Sequence, residues 1–225
     1  MVLEAMSELF PESDIYALFG NKNNLSKSIK KHNIYYSFLN RIPLVGKMYR
    51  YTFHLWPVAI ESLNLSKYDL VISNSASVAH GAIASLGSKH IAYINSPMRY
   101  AWDLSHIYTD VVKFGSLKNV LKNIFVSFNR VWDVVSSRRA DIVICNSNFV
   151  KDRIEKYWGR KVDAVVYPPS KVYTGKVVEK RSDYYVSGAP FEPNKRGDFL
   201  LECASKIGFR LKLIGDGSMR ASLEK

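Results

Sequence analysis

The chain has 225 residues, 47% hydrophobic and 23% charged, a balance that supports a packed core and argues against a disordered polypeptide. The formal net charge of +12 points to anionic partners such as a membrane face or a nucleic acid. No run of about 18 apolar residues occurs, so no spanning helix is expected. Cys145 and Cys203 form neither a CxxC nor a disulfide framework, which suits a reducing cytoplasm, and the five histidines lack metal-clamping spacing.

In chain order, Met1 to Phe10 reads as an amphipathic helix rather than a signal peptide. Asp14 to Leu18 is a short strand. From Asn21 to Ile60 there is no acid, while Lys22, Lys27, Lys30, Lys31, Arg41, Lys47 and Arg50 alternate with aromatics such as Tyr35, Phe38 and Trp56. That pattern suits an anionic membrane face, and also a nucleic-acid backbone or plain solvation. Asp69 to Ser73 is a strand, followed by helix-compatible small residues from Ser77 to Ser85, and Lys89 to Asn95 is the next strand. The run Pro97-Met98-Arg99-Tyr100-Ala101-Trp102-Asp103 then turns the chain out, because proline lacks the N–H of a central strand. Ligands of α/β folds gather at that strand edge. Arg99 and Asp103 suit hydroxyls or phosphates, and Tyr100 and Trp102 suit a sugar face. The equal alternative is a loop whose rings belong to the core and whose Arg99 pairs with Asp103.

Leu117 to Arg139 is a long basic-aromatic helix, Asp141 to Cys145 a strand with a buried thiol, and Asn146 to Asn148 cap a helix over Phe149 to Tyr157. Asp163 to Tyr167 is a strand stopped by Pro168-Pro169. Short apolar strands separated by helices predict a parallel, doubly wound α/β sheet in residues 1–170. Residues 171–182 read as a linker and 183–225 as the start of a second domain: a strand Tyr184 to Ser187, a helix Lys195 to Lys206, a strand Phe209 to Ile214 and a Gly215-Asp216-Gly217 turn. Lys195 and Arg196 at a helix start are unfavourable beside its positive end unless an anion binds there, and a diphosphate fits. The alternative is that both cations extend into water.

Taken together, these segments resemble the retaining glycosyltransferases of family 4, the glycogen-synthase-like branch of the GT-B fold, and are most similar to mannosyltransferases of O-antigen and surface-polysaccharide assembly. The resemblance is carried by Asp69 to Ser73, Ser96 to Asp103, Ala140-Asp141 with Asn146-Ser147, Val166 to Pro169, Gly188-Ala189, Pro193 to Arg196 and Ile214 to Gly217. It implies two Rossmann-like domains facing a cleft, a nucleotide-sugar donor such as GDP-mannose, a lipid-linked or polysaccharide acceptor, no metal cofactor, no nucleic acid, and a cytoplasmic location peripheral to the inner membrane. Gly188, Lys195 and Arg196 match the donor-diphosphate residues, with Gly215, Asp216 and Gly217 as the donor-side turn. Arg99, Tyr100, Trp102 and Asp103 match the acceptor-side loop. Asn95 stands where relatives carry a histidine, and asparagine cannot titrate. Relatives also begin with a strand and a Gly-Gly loop and carry a Glu motif farther on. Their absence here predicts a first strand missing, a C-terminal domain cut short, and an inactive fragment or a non-catalytic membrane- or partner-binding remnant.

Overall fold

The computed structural model describes residues 1–43, 45–46, 52–105, 116–170, 172, 174–175 and 182–224. Lys47 and Arg50 of the basic stretch, and most of the linker between 171 and 181, lie outside the described residues. The chain divides into two compact units, Met1–Lys171 and Val172–Lys225.

The first unit opens with helix α1 (Val2–Leu9), then strand β1 (Ile15–Ala17) and strand β2 (Ile34–Tyr36), which pair in parallel with Ile15 opposite Ile34. Sequence reading passed over β2, whose three residues lie inside a polar, basic stretch. Helix α2 (Trp56–Glu61) was also passed over. It carries Pro57 in its first turn, where a missing N–H costs nothing. Strands β3 (Leu70–Ser75), β4 (Lys89–Ile94), β5 (Ile142–Cys145) and β6 (Ala164–Val165) form a second sheet in that order, all parallel. Helix α3 (Ser116–Ser137) joins β4 to β5, and helix α4 (Asn148–Trp158) joins β5 to β6. The expectation of an α/β unit with parallel strands is met, although the strands fall into two sheets.

Helix α4 has the ends its sequence foretells. The Ser147 hydroxyl accepts from the Val150 N–H at 3.3 Å, and Gly159 closes the helix at φ 60°, a left-handed conformation suited to glycine. Its inner face, Val150, Ile154 and Trp158, packs on Ala92, Ile94, Val143 and Cys145 of the sheet. Burial holds the Cys145 thiol pKa above its ordinary value, as expected of an inert core cysteine. The segment Ser77 to Ser85 departs from the helical expectation. It makes one 3-10 turn, Ala79–Gly81, because Gly81 lies flush against the Trp132 ring, where any Cβ would overlap it. His80 is also tied on both sides, to Ser75 and to Ser136.

The second unit is a single βαβ: strand β7 (Tyr184–Gly188), helix α5 (Gly197–Ile207) and strand β8 (Arg210–Ile214), followed by the short helix α6 (Arg220–Leu223). β7 and β8 pair in parallel. None of its described residues is fully buried, as expected where two strands and one helix can cover only one face of a sheet.

Candidate functional site

In the first unit, β4 delivers the chain into the proline-tryptophan loop at Asn95. The Asn95 amide donates to the Asn74 side-chain oxygen at 2.6 Å and its carbonyl accepts from Asn146 at 3.3 Å, so the residue ties together the ends of β3, β4 and β5. Met98 and Ala101 are wholly buried. The Tyr100 hydroxyl lies 3.0 Å from that of Ser77, its ring packs on Phe53 and Trp56, and burial raises its pKa. Trp102 stacks on Tyr157 at 4.7 Å and donates its indole N–H to Asp133 at 2.8 Å. Asp103 is held in a two-pronged ion pair by Arg153 of α4, rather than by Arg99 as one sequence reading had it, and that guanidinium keeps the carboxyl below the usual carboxylate range. Arg99 is exposed. Of the four loop residues singled out, one faces solvent and three bind their own protein.

The anchor of this loop is Asp133, fully buried on α3. One of its oxygens accepts from two indoles, Trp102 at 2.8 Å and Trp158 at 2.7 Å, and the other lies 3.3 Å from His80 Nε2. A carboxylate taken out of water is tolerable only with such donors around it. Arg130, one turn earlier, donates to the Ala101 carbonyl at 2.5 Å. Sequence reading missed Asp133, yet a signal was present: it is the lone acid between Leu117 and Arg139, beside a tryptophan.

In the second unit, Gly188 ends β7, and Lys195 closes a 3-10 turn, Pro193–Lys195. Arg196 is the residue that caps α5, at φ 53°, a left-handed backbone conformation uncommon outside glycine. Lys195 and Arg196 are both exposed. The helix therefore starts two residues later than the sequence suggested, and both cations sit just ahead of it. An internal anion is already present there. Asp198 takes Arg196 Nε at 3.2 and 3.3 Å, and this contact lowers the Asp198 pKa. The 215–217 turn locks onto the same region. A Cβ on Gly215 would overlap the Ala189 carbonyl oxygen, one on Gly217 would meet the Phe191 oxygen at 2.6 Å, and Phe191 N–H donates to the Asp216 carbonyl at 3.0 Å. Those two glycines are required by close backbone approach.

Helix α3 departs from an ordinary surface helix, burying polar side chains beside Val126 and Trp132 and leaving other apolar ones in solvent. Asn129, Asp133 and Ser136 are fully buried, whereas Ile124, Phe128, Val131 and Val135 are 55–63% exposed at spacings of four, three and four. Of its cations, Arg130 faces the loop and Arg139, just past its end, pairs with Glu61 at 2.6 Å, while Arg138 is exposed. Among the described residues no helix is long and apolar enough to cross a membrane, and no cluster of three or more His, Cys, Asp or Glu is set to hold a metal.

A scan against protein-family models finds no match, and a search of curated proteins finds none either.

Proposed function

We propose that the chain carries the diphosphate-binding turn and acceptor-side wall of a retaining glycosyltransferase of GT-B type, one that takes a sugar from a nucleotide-sugar such as GDP-mannose for a lipid-linked or polysaccharide acceptor. The observation that carries the reading is the exposed Lys195–Arg196 pair directly ahead of the α5 N-terminus. Glycosyl transfer leaves negative charge on the departing diphosphate. Two cations and the N–H groups of a helix start stabilise it, and without a ligand Asp198 serves as the anion beside the helix's positive end. Asp198 occupies Arg196 until the diphosphate displaces it. On the acceptor side, Arg99 is the loop residue free to meet a polar substrate, and Asn95 contributes hydrogen bonds but no proton transfer.

A second reading, a non-catalytic module that docks on an anionic membrane, is favoured by the apolar outer face of α3, which continues to the exposed Arg138. An apolar stripe with flanking cations binds in the headgroup layer of anionic bilayers. Calorimetry separates the two. The transferase reading expects GDP and GDP-mannose to bind, with affinity falling at least about tenfold in Lys195→Ala plus Arg196→Ala, since each charge-assisted hydrogen bond contributes roughly 1.5–3 kcal/mol. Vesicle binding without any nucleotide binding leaves the second reading.

A further inference from the structure

We infer that the first unit carries an anion site of its own, a pocket for a phosphate group on a small organic body, between the loops that follow β1 and β2. A cavity of about 520 Å³ opens there, with Gly20, Asn21 and Asn24 on one wall and Asn40, Arg41 and Ile42 on the other. Both loops leave the carboxyl ends of parallel strands, the edge at which α/β sheets take their ligands. The site shares no residue with the lysine-arginine turn of the second unit, and the inference does not rest on glycosyl transfer.

The walls are held in place before any ligand arrives. The Ser37 hydroxyl donates to the Leu18 carbonyl at 2.6 Å, and the Gly20 N–H donates to the Asn40 side-chain oxygen at 2.9 Å, so each loop fixes the other. Leu39, wholly buried, anchors the second loop from beneath. Asn21 accepts from the Asn23 N–H at 2.9 Å and so caps the 3-10 turn Lys22–Asn24. A backbone N–H can only donate, so the side-chain oxygens of Asn21 and Asn40 face those partners, and their NH2 groups are left as donors without an acceptor among the described residues. Arg41 ends a second 3-10 turn, Phe38–Arg41, where it is exposed and has neither an ion pair nor a hydrogen bond among the described residues.

Charge selects the ligand. No carboxylate lines the cavity, no Asp or Glu occurs between Asn21 and Ile60, and Lys22 stands exposed in the first turn. A cation would be repelled, and a neutral hydroxyl would find donors where it also needs acceptors. An anion rich in acceptor oxygens uses every one of these groups. The planar fork of Arg41 takes two oxygens of a phosphate at once, and a phosphate has oxygens to spare for the two amides where a carboxylate has none. Phe19, Ile42 and the buried Val45 supply an apolar floor, and the volume falls in the range of about 300–1,000 Å³ that suits small organic ligands rather than a bare ion.

The test titrates the isotope-labelled chain with phenyl phosphate, with dihexanoyl phosphatidic acid as the lipid-borne form of the same group, and with phenol as the body without the phosphate. The inference expects the backbone amides of Gly20, Asn21, Asn40 and Arg41 to shift with phosphate and not with phenol. Shifts with phenyl phosphate assign a soluble organic phosphate, and shifts with the lipid alone assign a headgroup. Arg41→Ala should weaken binding at least about tenfold, and so should Asn40→Asp, which keeps the acceptor for Gly20 but puts a carboxylate oxygen where an amide donor stood. Because Asn40→Asp preserves the hydrogen bond between the loops, its loss of binding reports the ligand and not the fold. Lys195→Ala plus Arg196→Ala should leave these shifts intact, which separates the failure of this site from that of the diphosphate turn. The inference is overturned if neither phosphate moves the four amides up to about 10 mM, or if phenol moves them as strongly. It is also overturned if binding survives in both Arg41→Ala and Asn40→Asp, or if it is lost in the Lys195 and Arg196 double variant.

Discussion

The tryptophan loop after β4 and the lysine-arginine turn before α5 carry similar chemistry, cations and a carboxylate beside aromatic rings, and they put it to opposite use. In the first, Trp102, Tyr100 and Asp103 are each matched to a partner within the protein, and Asp133 sits beneath them with two indole donors. In the second, Lys195 and Arg196 stand exposed at a helix start, and Asp198, which pairs with Arg196, is itself exposed. A residue's type shows what it can bind. Its burial decides whether that capacity is spent on the fold or left for a ligand.

The sharpest way to break this contrast is to remove the anchor of the loop. Asp133→Ala leaves two buried indole donors without an acceptor and should cost about 3–5 kcal/mol in denaturant unfolding. A cost below about 1 kcal/mol would mean that the loop is not held from beneath. Lys195→Ala plus Arg196→Ala should, by contrast, leave the melting temperature nearly unchanged while lowering nucleotide affinity at least about tenfold.

A second consequence concerns His90, buried on β4 with Nε2 2.9 Å from the Ser73 hydroxyl. Its Nδ1 has no hydrogen-bond partner among the described residues, and burial lowers its pKa from 6.5 to about 4. The unfolded chain therefore takes up a proton first as pH falls. Stability is complete above about pH 6.5 and declines between 6.5 and 4, by up to about 3 kcal/mol. Melting curves of wild type and His90→Gln across that window should show the slope flatten in the variant. Asp14, whose pKa is lowered to about 2 chiefly by the Tyr68 hydroxyl, acts in a lower window, where stability present above about pH 4 is lost as pH falls toward 2.

Smaller effects sharpen the picture. Ile124→Glu plus Phe128→Glu places charge on the outer face of α3 and should reduce binding to vesicles of phosphatidylserine roughly tenfold with little change in folding, because both residues are more than half exposed. Asp198→Asn frees Arg196 and should tighten GDP binding a few-fold, since the competing anion is exposed and its pairing is worth roughly 1 kcal/mol or less.

Much of the fold was legible because alternating short apolar strands and periodic helices leave a clear pattern, as at Ile142–Cys145 and at the Ser147 cap of α4. β2 escaped because three residues give no periodicity, and the Ser77 to Ser85 turn escaped because a contact with Trp132, distant in sequence, overrides local helical preference. The candidate site was legible as residue types and not as roles. Nothing local to Trp102 or Asp103 announces Asp133, 31 residues on, or Arg153, 50 residues on, as the partner that claims it.

The central claim is that the turn of the second unit is open for a diphosphate while the tryptophan loop is committed to its own fold. Titrating GDP into isotope-labelled protein and following the backbone amides tests it directly. The account predicts shifts concentrated at Lys195 to Phe199 and none at Tyr100 to Asp103. Shifts at the loop with none at the turn would contradict it.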